Sequence, residues 1–132
     1  MKKEWSSSWK ASKRPGKQRK YTINAPLHIK SKLLNVHLIK ELREKYKLRN
    51  VRVKKGDKVK ILRGDHRGKS GKVNRVIMAN QKIYVEGIDN VKKDGNKYFI
   101  PLKPSNLMIV ELDLTDKVRK AKIEKKQVKE KK

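Results

Sequence analysis

Apolar and polar side chains alternate in short runs between residues 51 and 112, and turn residues separate the runs. Three of these runs are VRV at 51–53, KVKIL at 58–62 and QKIYVEG at 81–87. Alternation with a period of two is typical of strands that bury one face. The pattern predicts about five or six short strands, and so many strands in so short a segment favour a small barrel.

The inward positions of these strands define the expected hydrophobic core. Asp94-Gly95, between NVKK and KYFIP, is a strong hairpin signal because both residues tolerate a tight turn. A domain with so small a core is marginally stable alone. The residues that we expect to be buried are Val59, Ile61, Val73, Val76, Ile83, Val85, Ile100, Leu107, Ile109 and Leu112.

Short helices that pack on the barrel are predicted over residues 23–50. In NAPLHIKSKLL, Asn24 can cap a helix and Pro26 suits its first turn. This first helix is expected to run to about Leu34.

A second helix is predicted in the run HLIKELREKYK. Leu38, Leu42 and Tyr46 recur there every four residues, as apolar side chains do on one face of a helix. We expect this face to pack on the strands that follow.

The N-terminal segment, residues 1–22, is a basic tail rich in lysine, arginine and serine. Pro15-Gly16 is expected to break any helix in it, and the tail should be disordered when free. Trp5 and Trp9 are unusual in such a segment. Either they lie on or beside the protein surface, or they stack on nucleic-acid bases.

The C-terminal segment, residues 113–132, predicts a basic helix or tail. Thr115-Asp116 can cap a helix in it, but few of its side chains are apolar. We therefore expect a solvated or RNA-bound helix that frays, and no contribution to the core.

The net charge of +26 limits the function more than any single residue does. Lysine and arginine number 39 against 13 aspartate and glutamate in 132 residues. A compact protein with this charge repels itself unless a polyanion partners it, and in a cell that polyanion is usually nucleic acid. The composition therefore predicts a nucleic-acid-binding protein.

Other function classes lack the residues that they need. The absence of cysteine excludes disulfides, thiolate metal sites and cysteine nucleophiles. The three histidines are far apart in sequence, so we expect no metal site and no cofactor. No apolar run approaches the roughly 20 residues of a membrane helix, and no signal peptide is evident. A cytoplasmic or nuclear protein is the default expectation.

The run RGDHRGKSGKV at 63–73 is close to two known motifs and matches neither. A nucleotide-binding P-loop has four residues between its first glycine and Gly-Lys-Ser, and a helix follows. Here three residues separate Gly64 from Gly68, and Gly71 follows Ser70 at once. The adhesion triplet Arg-Gly-Asp is short enough to occur by chance. We interpret the segment as a turn between two strands.

A longer stretch, KKGDKVKILRGDHRGKSGKVNRV, resembles the KOW motif. Gly-Asp opens a strand, Val59 and Ile61 alternate with lysines, and a basic, glycine-rich loop precedes Gly71. The flanking runs KQRK, NAPLHIKSKLL, KELREKYKLRNVRVKKGDKV and KPSNLMIVELDL are similar to a large-subunit ribosomal protein family. That family is named L twenty-four in archaea and L twenty-six in eukaryotes. The resemblance covers residues from about 17 to 119 and favours the archaeal type.

The resemblance implies a mostly β fold: an SH3-like (KOW) barrel over 51–112 with short N-terminal helices, a basic N-terminal tail and a basic C-terminal helix. It implies a structural constituent of the large ribosomal subunit, in the cytoplasm, without catalytic activity. It also implies direct binding to 23S-type rRNA near its 5′ end, early in assembly, close to the exit of the peptide tunnel. The implied partners are that rRNA and neighbouring large-subunit proteins; neither a homo-oligomer nor membrane insertion is expected.

The expected RNA contacts come from basic and hydroxyl side chains near the turns and on the N-terminal segment. Turn glycines let the backbone bend tightly and approach RNA without a side-chain clash; they are Gly56, Gly64, Gly68 and Gly71. The expected rRNA-binding residues are Lys17, Arg19, Lys20, Lys30, Lys54, Lys55, Arg63, His66, Arg67, Lys69, Ser70 and Lys72.

The chain departs from the family pattern in three places. Ile39 stands where a helix-capping serine is usual, and Lys103-Pro104-Ser105 stands where His-Pro-Ser is often found. The N-terminal run MKKEWSSSW has no counterpart that we recognise.

Two other nucleic-acid-binding functions are compatible with the charge. KOW-type transcription proteins carry an additional α/β domain before the KOW segment, but only about fifty residues precede it here. A small chromatin-like protein would bind duplex DNA through charge alone. An enzyme is the least supported class, because no nucleophile–base pair is evident.

Overall fold

The computed structural model describes residues 4–129 of the chain. The helical elements are a 3-10 turn Ser7–Ala11, α1 Pro15–Asn24, α2 Leu27–Leu33, α3 Lys40–Tyr46, a 3-10 turn Pro104–Asn106 and α4 Lys117–Lys129. The strands are β1 Asn35–Leu38, β2 Asn50–Arg52, β3 Lys58–Ile61, β4 Ser70–Ile77, β5 Lys82–Val85, β6 Asp89–Val91, β7 Lys97–Phe99 and β8 Leu107–Glu111.

Six of these strands form one sheet in the order β2-β1-β8-β3-β4-β5, and β6 and β7 form a separate hairpin. β1 runs parallel to β8, and the other paired strands are antiparallel. Within residues 4–129 the fold is therefore mixed α/β with a large open sheet. The expectation of a mostly β fold is correct for the strand-rich segment and too narrow for the chain.

The predicted core is confirmed at seven of its positions. Val59, Ile61, Val73, Ile83, Val85, Leu107 and Ile109 are fully buried. The other three, Val76, Ile100 and Leu112, are half-buried and pack against that core. The core also contains residues that the sequence pattern did not select: Leu34, Val36, Leu38, Leu48, Val53, Ile88 and Ile123.

Only the first two residues of the run predicted as the second helix, His37 and Leu38, belong to a strand, β1. Val36 and Leu38 are buried and alternate with exposed neighbours, as in a strand with one face in the core. The Ile39 amide then donates to the Ile109 carbonyl at 2.9 Å, and α3 begins at Lys40. Strand pairing on both edges of β1 outweighs the helical spacing that placed Leu38 on a helix face.

The basic N-terminal tail contains a helix, contrary to the prediction that Pro15-Gly16 would break one. Pro15 starts α1 at a position where its missing amide and fixed φ cost nothing. The Trp5 indole donates to the Tyr21 carbonyl at 3.0 Å, and the two rings lie 5.4 Å apart. The side-chain amide of Asn24 donates to the Glu4 carbonyl at 3.2 Å. Asn24 is the last residue of α1, and Pro26 stands at the N-cap of α2.

The C-terminal helix joins the core, contrary to the prediction of a solvated helix. Ile123 on α4 is 4% exposed. On the preceding turn of α4 the Arg119 guanidinium bonds both carboxylate oxygens of Asp57 at 2.6 Å, and both residues are buried. Asp57 also accepts the backbone amides of Lys54 and Asp113. The parts of the two predicted tails at 1–3 and 130–132 lie outside the described residues.

Gly71 lies inside β4, where two strands approach closely, and not in the turn to which the sequence analysis assigned it. A Cβ atom at Gly71 would lie 2.7 Å from Val85 Cγ1 and would collide with the Glu86 carbonyl oxygen. The requirement for glycine at this position therefore comes from packing between β4 and β5.

Gly71→Ala is expected to lower the free energy of unfolding by about 1–3 kcal/mol, because the added methyl group forces β4 away from β5. Urea unfolding followed by circular dichroism measures the change. The matched control is Gly16→Ala on α1, where no atom lies within 4 Å of the added carbon. That variant should be neutral or stabilised by up to about 1 kcal/mol. A neutral Gly71→Ala variant would contradict the close approach.

Candidate nucleic-acid interface

The loop between β3 and β4, residues 62–69, is closed by its own backbone. The Gly68 amide donates to the Ile61 carbonyl at 2.9 Å, and the Ile61 amide donates to the Lys69 carbonyl at 2.9 Å. Gly64 and Gly68 have φ angles of 99° and 88°, in the left-handed region that the predicted tight turn requires. The loop therefore presents its side chains from a fixed backbone frame.

Three cationic side chains of this loop point into solvent. Arg63, Arg67 and Lys69 are exposed, and within residues 4–129 none of them forms an ion pair with a carboxylate. Lys69 Nζ lies 3.5 Å from Nδ1 of the half-buried His66. The charge of these side chains is available for phosphate groups.

The register of β3 and β4 places further polar side chains on one outer face. Lys58 lies opposite Lys72, and Lys60 lies opposite Ser70. Lys58 pairs with the Glu111 carboxylate at 2.9 Å, and all four residues are exposed. Lys60 was not among the rRNA-binding residues predicted from the sequence, although the alternation in KVKIL places its side chain on the outward face of the strand.

The predicted contacts Lys54 and Lys55 differ in their surroundings. The Lys54 ammonium forms an ion pair with Asp116, and this hydrogen bond is the main cause that lowers the pKa of Asp116. Nearby, the hydroxyl and the amide of Thr115 lower the pKa of Asp113. The Lys54 side chain therefore contacts the residue that precedes α4, whereas the Lys55 side chain is exposed.

The remaining predicted contacts lie on the two N-terminal helices. Lys17, Arg19 and Lys20 are exposed on α1. Lys30 on α2 donates from Nζ to the Ala79 carbonyl at 3.0 Å, which ties α2 to the turn after β4.

The length of β4 separates these helices from the basic loop. β4 begins at Ser70 beside the loop and ends at Ile77 before the turn that Lys30 contacts, and eight strand residues span roughly 25 Å. Gln81 in that turn donates to the Thr22 carbonyl at 3.4 Å, so the end of α1 lies there too. The structure thus divides most of the predicted contacts into two regions. We call them the loop region (Arg63, His66, Arg67, Lys69, Ser70 and Lys72) and the helix region (Lys17, Arg19, Lys20 and Lys30).

Among residues 4–129 no group of three or more histidine, aspartate or glutamate side chains is placed to hold a metal ion. Across the same residues no helix is long and apolar enough to cross a membrane.

Exposed cations on a rigid loop and on a basic helix of a small mixed α/β protein are typical of the class of nucleic-acid-binding proteins. Residues 12–126 match the family of ribosomal proteins described as L twenty-six in eukaryotes and L twenty-four in archaea, and the chain belongs to this family. The family predicted from the sequence motifs is thereby confirmed. The match begins after residue 11, so the N-terminal run MKKEWSSSW lies outside it.

Two archaeal relatives resemble the chain over most of its length. A protein named large ribosomal subunit protein uL24 from Methanospirillum hungatei is 49% identical over 112 residues, which are 85% of this chain and 93% of the relative. A protein of the same name from Korarchaeum cryptofilum is 42% identical over 118 residues, which are 89% of this chain and 90% of the relative.

Proposed function

We propose that the protein is a structural constituent of the large ribosomal subunit that binds 23S-type rRNA directly, near the 5′ end of that RNA and early in assembly. It works in the cytoplasm, in the ribosome, close to the exit of the peptide tunnel and beside other large-subunit proteins, and it catalyses no reaction. The observation that carries the proposal is a net charge of +26 on a chain of a ribosomal protein family.

Two basic regions give the proposed binding its physical basis. Phosphate neutralisation by these regions supplies most of the affinity, as it does for basic proteins on nucleic acids generally. Specificity comes from shape: a loop held by backbone hydrogen bonds fits a folded RNA surface, and the helix region contacts RNA roughly 25 Å away.

The proposal includes an SH3-like (KOW) barrel that is partly open. β8, β3, β4 and β5 are neighbours in the sheet, and an isolated bridge between Ile83 and Leu102 continues the pairing beyond β5. From Leu102 the chain passes through the 3-10 turn Pro104–Asn106 directly into β8. This return from one edge of the sheet to its middle supports a curled, barrel-like arrangement.

Arg67→Ala with Lys69→Ala is expected to weaken binding to the 5′ domain of the large-subunit rRNA. The log–log salt slope should become shallower by about 1.4, because each lost phosphate contact on single-stranded or loop RNA removes about 0.7. Filter binding over a series of salt concentrations measures the slope. A control with the same loss of charge is Lys58→Ala with Lys97→Ala, since both of those lysines pair with carboxylates. An unchanged slope in the loop variant would contradict the assignment of the loop region.

The proposed function is tested by competition at roughly physiological salt. Labelled 5′ domain RNA is bound to the protein in filter assays and challenged with a shuffled RNA and with duplex DNA of equal length. Binding that resists both competitors supports specific rRNA recognition. Equal competition by all three nucleic acids would overturn the proposal and favour a chromatin-like protein that binds through charge alone.

A further inference from the structure

A cleft of about 570 Å³ lies between the β3–β4 loop and the β6–β7 hairpin. This volume is in the range of small-ligand sites. Arg63 and His66 were predicted as rRNA-binding residues, but the sequence does not predict a cleft. The lining includes Arg63, His66, Asn90, Tyr98, Ile100 and Asn106, together with one carboxylate, that of Asp65.

The register of the hairpin determines which side chains face the cleft. Asn90 lies directly opposite Tyr98, so these two side chains are on the same face of the hairpin. Phe99, the next residue, is on the other face and does not line the cleft. Tyr98 is 44% exposed and Phe99 is 45% exposed, so the hairpin offers one aromatic ring on each face.

The polar groups of the cleft are available for a ligand. Among the side chains described, those of residues 4–125, the amides of Asn90 and Asn106 form no hydrogen bond. The Asn106 backbone is fixed, because its carbonyl accepts the Leu62 amide at 2.8 Å. Lys92 Nζ lies over the Tyr98 ring, 5.9 Å from its centre, which adds a cation at the aromatic wall.

We propose that this cleft binds one unstacked nucleotide of the RNA. The base stacks on the Tyr98 ring, and the amides of Asn90 and Asn106 bond the base edge, since an amide both donates and accepts. Arg63 holds the adjoining phosphate. The half-buried Ile100 supplies an apolar floor under the base.

A nucleotide fits this cleft better than a peptide side chain does. A hydrophobic peptide anchor would use the apolar floor but would leave two amides and an unpaired guanidinium without partners. A nucleotide joins an aromatic face, hydrogen-bonding edges and a negative charge in one group, which matches the walls of the cleft. The proposal rests on the RNA-binding function proposed above and adds a site to it.

The test compares Tyr98→Leu with Phe99→Leu in filter binding to the 5′ domain of the large-subunit rRNA. Tyr98→Leu is expected to weaken binding roughly 5- to 150-fold, the effect of losing one base–aromatic stack. The salt slope should not change, because no phosphate contact is lost. Phe99→Leu removes an equally exposed ring from the opposite face and should bind like the unaltered protein. Tyr98→Phe keeps the stacking surface and should retain most of the affinity.

Chemical probing of the bound RNA bases separates failure of the site from failure of the proposed function. One base should be protected by the unaltered protein and by Tyr98→Phe, and accessible with Tyr98→Leu. If the unaltered protein binds rRNA specifically but Tyr98→Leu binds equally well, the cleft is not a nucleotide site and a protein partner becomes its better occupant. Equal weakening by Tyr98→Leu and Phe99→Leu would also overturn the proposal. If the unaltered protein binds the rRNA no better than it binds the competitor nucleic acids, the proposed rRNA binding is overturned instead.

Discussion

Arg119→Met is expected to lower the free energy of unfolding by about 3–5 kcal/mol. The two side chains of the Asp57–Arg119 pair are 0% and 6% exposed, and two charge-assisted hydrogen bonds of 2.6 Å join them. Methionine fills a similar volume but removes the positive charge, so the Asp57 carboxylate is left buried without its cation. Urea unfolding with linear extrapolation measures the loss.

A second ion pair supplies the control for this prediction. Lys58 and Glu111 are joined at 2.9 Å, but their side chains are 48% and 66% exposed. Lys58→Met should therefore cost less than about 1 kcal/mol, since water screens the pair and solvates the partner that is left. A loss with Arg119→Met no larger than with Lys58→Met would contradict a buried ion pair between α4 and the sheet.

The buried contacts of Asp57 could not be predicted from the KOW-like sequence pattern around it. The pattern identified Gly-Asp as the opening of a strand, and β3 does begin at the next residue. The carboxylate also organises the structure around it: it accepts the amides of Lys54 and Asp113 and the guanidinium of Arg119. Arg119 lies 62 residues away in the sequence, and nothing in the local pattern marks it as the partner.

The strands of the second half were predictable because their side chains alternate and their turns contain the residues that turns need. KVKIL became β3, QKIYVEG contains β5, and Asp94-Gly95 lies between β6 and β7 as the hairpin signal required. Gly95 has a φ of 80°, which explains why that signal is reliable. Local backbone preference and burial agree at these positions.

The secondary structure of the N-terminal half of the chain was less predictable, because pairing between strands that are distant in sequence determines it. Leu38 is four residues before Leu42, and this spacing favours a helix. The strand β1 nevertheless forms there because it pairs with β2 and with β8, some 70 residues further along the chain. In the basic N-terminal segment, composition predicted disorder, but Trp5 packs on Tyr21 and bonds the end of α1. A single aromatic contact of this kind cannot be predicted from amino-acid composition.

The candidate interface was predictable in its charges and not in its shape. The cations of the β3–β4 loop could be selected from the sequence because glycines mark the turn that exposes them. The cleft beside the loop could not, because Tyr98 and Asn90 come from the hairpin, whereas Asn106 comes from the 3-10 turn before β8. Only the folded topology brings these residues together.

Ile123→Ala is expected to lower the free energy of unfolding by about 2–5 kcal/mol, because it removes a buried branched side chain and leaves a cavity. Ile123 is 4% exposed and belongs to the main hydrophobic core, although it lies on a helix in which six of the 13 residues are lysine. Thermal and urea unfolding of the full chain measure the effect.

Val118→Ala on the same helix is the matched control, because Val118 is 62% exposed. A substitution at so exposed a site should change the free energy of unfolding by no more than about 0.5 kcal/mol. A large loss at Ile123 with little change at Val118 would establish that α4 is part of the folded core. Equal, small effects would show that the helix is solvated, as its composition suggests, and that the Asp57–Arg119 pair alone does not hold its second half on the sheet.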